Sequence, residues 1–101
     1  MIRETVVFRI SPGFVAEAMD HLNDARGRLE EITGADYQLL SRLGGLAGQV
    51  ALTAQYDSVS AWETASEKMR SNPEWSRMVS DAGRSRLFIA GTTETVLWRV
   101  E

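Results

Sequence analysis

Residues 5–10 (Thr-Val-Val-Phe-Arg-Ile) alternate between two faces. Val6, Phe8 and Ile10 lie on one, Thr5, Val7 and Arg9 on the other, which predicts a strand. Ser11-Pro12 predicts a helix start, with serine as N-cap and proline at the first helical position, where its missing N–H costs nothing. The period then changes. Val15, Ala18, Met19, Leu22, Ala25, Leu29 and Ile32 recur at helical spacing, and Gly34 closes the helix. Residues 36–43 and 48–56 read as a hairpin joined by the glycine-rich link 44–48. Val50, Leu52, Ala54 and Tyr56 alternate with Ala51, Thr53 and Gln55, the pattern of a sheet with one strongly buried face. Ser60 and Glu63 stand at capping-box spacing and open a helix whose inward stripe is Trp62, Ala65 and Met69. Asn72-Pro73 interrupts it and caps a shorter helix with Trp75, Met78, Val79 and Ala82 on one face, ended by Gly83. Residues 84–91 form a connector with the apolar centre Leu87-Phe88-Ile89, either a short strand or a packed loop. Residues 93–100 are the last strand, with Val96, Trp98 and Val100 opposite Thr95, Leu97 and Arg99.

The order is strand, long helix, two strands, a helix pair, strand. That is an α+β plan of the ferredoxin-like, split βαβ kind, with a four-stranded antiparallel sheet covered by helices on one face. The covered face should hold Val6, Phe8, Ile10, Val50, Leu52, Tyr56, Val96 and Trp98. The open face should hold Val7, Arg9, Gln38, Leu40, Arg42, Ala51, Thr53, Gln55, Leu97 and Arg99. Exposed Val7, Leu40 and Leu97 would together make an apolar patch. Two such faces packed together give a two-fold homodimer, a dimeric α/β barrel; the other reading is a monomer with a half-polar solvated sheet. In the barrel, Arg9, Arg42 and Arg99 would need partners across the dimer.

Composition narrows the function classes. The 101 residues point to a single domain spanning the chain, and 44 % apolar with 25 % charged residues is globular composition. There are no cysteines, which excludes disulfides, thiolate metal sites and cysteine nucleophiles and fits a reducing cytoplasm. No apolar run nears the ~20 residues of a membrane span, and the N-terminus lacks a signal-peptide pattern. The net charge is −3, with Lys68 the only lysine, so neither nucleic acid nor membrane is an expected partner. No phosphate loop, metal-spacing motif, carboxylate pair or Ser/His/Asp set is visible.

Three short segments carry a resemblance: Tyr56-Asp57-Ser58, Ala61-Trp62-Glu63 and Asn72-Pro73-Glu74-Trp75. An acidic turn after the third strand, a tryptophan opening the next helix and a proline-capped short helix with an aromatic resemble the antibiotic-biosynthesis-monooxygenase-like group of the dimeric α/β-barrel superfamily. That superfamily also includes haem-degrading enzymes and NIPSNAP-type proteins. The resemblance implies a dimer with one pocket per subunit between helices and sheet. It implies oxygenase chemistry without a cofactor or metal, in which an electron-rich phenol or quinol deprotonates and itself reduces dioxygen. Haem-degrading relatives carry their ligand histidine on the later helix. Here residues 62–82 contain none, which argues against haem.

On that expectation the ligand is a small aromatic, quinol- or polyketide-like, and the presumed pocket residues are Trp62, Trp75, Tyr37, Tyr56 and His21. His21, the only histidine, is either a general base for a phenolic substrate or a helix histidine without a partner. Trp62 and Trp75 wall a flat pocket or are plain core; Tyr37 and Tyr56, if buried, need hydrogen-bond partners. Asn72 is accounted for as a cap. Arg70, Arg77 and Arg84 recur every seven residues, but Asn72-Pro73 breaks the helix between the first two, so they form no single stripe. The competing class is a non-catalytic ligand-binding or structural dimer of the same fold.

Overall fold

The computed structural model describes residues 1–45 and 47–101. Its elements are β1 (Ile2–Arg9), α1 (Val15–Thr33), β2 (Gln38–Ser41), β3 (Gln49–Tyr56), α2 (Val59–Arg70), α3 (Pro73–Arg84) and β4 (Glu94–Arg99). The four strands form one antiparallel sheet in the order β2-β3-β1-β4, the ferredoxin-like arrangement expected from the sequence. The glycine-rich hairpin link includes Leu46, which lies outside the described residues.

The register fixes the two faces. Ile2, Glu4, Val6 and Phe8 of β1 stand opposite Tyr56, Ala54, Leu52 and Val50 of β3, on the helix side. The core forms there, with Leu22 and Leu29 of α1 and Ala65 of α2 against Val50, Leu52 and Ala54. Burying each of these leucines and Val50 contributes about 1.5–3 kcal/mol.

Three local expectations are corrected. Ser11-Pro12 does not start α1. Ser11–Phe14 is a turn with proline at its second position and Gly13 at its third at φ +85°, closed by the Phe14 N–H donating to the Ser11 carbonyl (3.1 Å). Glycine meets the positive φ that this turn needs, so the helix begins only at Val15. Ser60 is not the cap of α2. Ser58 is, its extended backbone letting Oγ accept from the Ala61 N–H (3.1 Å). Gly83 lies inside α3, which runs on to Arg84, and the chain turns through Arg86 at φ 55°. Gly34 and Asn72 act as expected: Gly34 takes the left-handed cap of α1 and Asn72 accepts from the Trp75 N–H (3.0 Å). The connector after α3 runs along β1, with Ile10 bridging Phe88 and the Ile89 N–H donating to the Arg9 carbonyl (2.9 Å).

The fourth correction concerns a whole face. In β4, Leu97 pairs with Glu4 and Thr95 with Val6, so Thr95, Leu97 and Arg99 share the helix side. Val96 and Trp98 lie beside Thr5 and Arg3 on the open side, where Trp98 is 58 % exposed. Both phases of β4 carry large apolar residues, so its own pattern does not decide its phase; the ladder to β1 does. The open face therefore presents Leu40, Val96 and Trp98 among Arg3, Thr5, Arg9 and Gln38. Thr53 at its centre is already buried, donating to the Glu4 carbonyl (2.9 Å) and flanked by Arg3 Nη1 and Thr5 Oγ1 at 3.3 Å.

Candidate functional site

α1 packs against β2 and α2 against β3, while α3 packs mainly on the other two helices. The space left beneath α3 is a cavity of about 900 Å³. That is the size and character of a small-molecule site: mostly apolar, with few polar groups. Its floor is Glu4, Val6 and Phe8 of β1, with Leu52 behind; its helical walls are Leu22, Ala25 and Leu29 of α1, Trp62 and Met69 of α2, and Trp75, Met78 and Val79 of α3. Phe88 and Ile89 close one end, and Thr95 and Leu97 line the β4 side.

Glu4 is the feature that the sequence expectations passed over. It is 5 % exposed, on a floor otherwise aliphatic and aromatic. The carboxylate is held from two directions. Tyr37, buried just before β2, donates its phenol to Oε1 (2.8 Å), and the Trp62 indole N–H donates to Oε2. Tyr37 has one proton, given to Glu4, so Tyr56 is the donor in the 2.6 Å contact between the two phenols. The result is a chain, Tyr56 to Tyr37 to Glu4, with Trp62 on the far carboxylate oxygen. The two tyrosine rings meet edge-on at 6.5 Å. A buried carboxylate is costly unless hydrogen-bonded, and this one is. Burial raises the pKa of Tyr37 far above the ordinary phenol value, reinforced by its hydrogen bond to Tyr56 and by the adjacent Glu4 charge. Burial also raises that of Tyr56. Both are neutral phenols at physiological pH, donors rather than bases.

Of the residues singled out from the sequence, Trp62, Trp75 and His21 line the cavity. Tyr37 and Tyr56 lie behind its floor and reach it only through Glu4; Tyr56 lines a separate hollow of about 370 Å³ between the end of α1 and α2. His21 stands at the wall between the cavity and an outer charged groove formed with Asp24, Arg28 and Glu74. Its ring lies 6.0 Å from that of Phe88, which in turn lies 5.0 Å from Phe8. Burial lowers the imidazole pKa below 6.5, against the opposing pull of Asp24, so the ring is neutral at pH 7. Glu4 and Phe8 are four residues apart on β1, so the carboxylate and the His21–Phe88 end lie about 13 Å apart along the strand.

No protein-family model matches the chain, and no curated protein matches it in sequence. Solved structures do match in fold. An uncharacterized NIPSNAP domain protein from Burkholderia xenovorans superposes with a TM-score of 0.83 at 19% identity, covering 100% of this chain and 95% of that one. A proposed antibiotic biosynthesis monooxygenase from Deinococcus radiodurans gives 0.73 at 13% identity, covering 100% and 93%. An antibiotic biosynthesis monooxygenase gives 0.71 at 11% identity, covering 100% and 99%. The fold is that of the NIPSNAP and antibiotic-biosynthesis-monooxygenase-like proteins. The likeness extends over the whole chain, in line with the resemblance read from its short motifs, and at these identities it establishes architecture alone.

Proposed function

We propose that this chain binds a small hydroxylated aromatic molecule in the cavity beneath α3 and oxidises it with dioxygen, as a cofactor-independent monooxygenase. The observation that carries the reading is a buried, doubly anchored carboxylate, Glu4, on the floor of a large apolar cavity walled by Trp62 and Trp75. The likeness in fold to monooxygenase-like proteins gives it a precedent.

The chemistry asks little of the protein. A base takes a proton from an anthrone- or quinol-type substrate, and the resulting anion gives an electron to dioxygen. The two radicals combine to a peroxide, and loss of water leaves a carbonyl. A methylene and dioxygen thus become a carbonyl and water; the substrate is the reductant and dioxygen the oxidant. The protein supplies the base, a dry apolar site and flat walls that orient the rings. Glu4 is the base in this reading, because it is the carboxylate among the cavity-lining residues and its orientation is fixed. His21, neutral and at the rim, is the second proton acceptor in reach of a ligand.

A panel of hydroxylated anthrones and quinols in an oxygen electrode tests the proposal. The expected result is protein-dependent oxygen uptake, unaffected by metal chelators, that falls about 100-fold or more in Glu4→Gln and less in His21→Ala. Binding without uptake across the panel would leave a ligand-binding protein and no enzyme. Neither binding nor uptake would sink the reading altogether.

The same proposal places the active protein as a homodimer through the open sheet face. Exposed Leu40 and Trp98, with half-buried Val96, share that face with Arg3 and Arg9, the composition of an interface rather than of a solvated sheet.

A further inference from the structure

The cavity carries two charged side chains on its lining, and they stand apart. Glu4 is on the floor beneath Trp62. Arg70, the last residue of α2, lines the same cavity from an exposed position. Trp62, Ser66 and Arg70 succeed one another at four-residue steps, so all three project from one stripe of α2, and all three line the cavity. Eight residues of helix separate Trp62 from Arg70, about 12 Å of axial rise. That matches the distance along β1 from Glu4 to Phe8 on the opposite wall, about 13 Å. Met69, Trp75, Met78 and Val79 line the same cavity and give it an apolar wall.

The guanidinium is available. The ion pairs among the described residues are Arg28 with Asp24 and Glu74, and Arg84 with Asp81. Arg70 takes part in none, although Glu67 and Glu74 are its neighbours along the chain. Lys68 already places a positive charge at the C-terminal end of α2. Complementing the helix dipole therefore does not account for why a second cation faces the cavity.

We infer that Arg70 selects an anionic ligand: a flat aromatic with a hydroxyl at the end that meets Glu4 and a carboxylate or similar anion at the end that meets Arg70. This rests on the reading of the cavity as a site for hydroxylated aromatics, and names the class of molecule more narrowly. A planar guanidinium matches a carboxylate in a two-pronged geometry, and the acid on the floor rejects the same ligand turned end for end.

The test uses a fluorescent hydroxynaphthoate, with hydroxyl and carboxylate at opposite ends of the rings, beside its uncharged methyl ester. Both are titrated into the wild-type protein and into Arg70→Gln and Arg70→Lys. The wild type is expected to bind the carboxylate about five- to tenfold more tightly than the ester, a preference that shrinks at high salt because Arg70 is exposed. Arg70→Gln should weaken the carboxylate far more than the ester and so abolish the preference, and Arg70→Lys should restore part of it. Equal binding of both ligands by the wild type, or a preference that survives Arg70→Gln, would overturn the inference and leave the cavity reading intact. If neither ligand binds, the cavity reading fails, and this inference with it.

Discussion

Tyr37 and Tyr56 are the only tyrosines in the chain, and burial raises both phenols. The unfolded chain ionises its phenols near pH 10, and the folded one above that. The stability they contribute is therefore complete below pH 10 and lost as the pH rises beyond it. A spectrophotometric titration should show no phenolate at pH 10 in the folded protein, then both tyrosines ionising together as the fold opens. Independent ionisation of one tyrosine near pH 10 would break the chain Tyr56–Tyr37–Glu4. His21 has the opposite sign for its charged form. Its folded pKa is lowered below 6.5 by burial, so stability present above pH 6.5 falls as the pH drops towards the folded value. Proton NMR of the imidazole should give a midpoint below 6.5, moving upward in urea. Much of this scale was legible in the sequence: His21, Trp62 and Trp75 do meet at one cavity, and the two tyrosines were expected to need partners. Their partner, Glu4, was missed because the first strand was begun at Thr5. The signal was present, since Glu4 stands in phase with Val6, Phe8 and Ile10, where an acid has no business unless something holds it. That Tyr37 and Tyr56 would be each other's partners was not legible, because nothing local relates residues so far apart before the sheet register is known.

The elements differ in how firmly they are held. α1 supplies most of the helical core residues, whereas α3 contributes Ala82 and is otherwise held by an apolar face over a cavity, by its cap and by the exposed Arg28–Glu74 ion pair. Asn72→Ala removes the acceptor of the Trp75 N–H and should cost about 1 kcal/mol in a urea titration. The loss should appear first as faster amide exchange across Pro73–Arg84 and as weaker ligand binding, because Trp75 and Met78 are cavity walls. Ser58→Ala removes an equivalent cap from α2 at similar cost, with exchange in α3 unaffected. Equal exchange effects from both variants would mean that α3 is no more independent than the rest. Helix stripes and the Asn72-Pro73 break were readable because side-chain period and capping are local. The phase of β4 was not. Val96, Trp98 and Val100 looked like the buried set on apolar content, yet Leu97 supplies the competing phase, and only pairing of Leu97 with Glu4 and of Trp98 with Arg3 decides between them. The start of α1 failed for a different reason: Pro12 suits both the first turn of a helix and the second position of a β-turn, and Gly13 tips the balance to the turn.

At the scale of the molecule, the split βαβ order was enough to give the sheet topology, since four strands and their connections leave few arrangements of this kind. The correction to β4 exchanges Leu97 for Val96 and Trp98 on the open face, so that the two edge strands present Leu40 on β2 and Trp98 on β4, a pair for a second copy to cover. Sedimentation at micromolar concentration should give a dimer. Trp98→Lys with Leu40→Lys should give a folded monomer with an unchanged helical signal; a wild-type monomer would remove the barrel. The central claim is that the cavity beneath α3, and not the open sheet, is where a ligand sits. The three tryptophans report on it directly, because Trp62 and Trp75 line the cavity and Trp98 lies on the other face. In an NMR spectrum of the indole N–H groups, saturating hydroxynaphthoate should shift the Trp62 and Trp75 signals and leave that of Trp98 in place. A shift confined to Trp98, or none at all, would contradict the account.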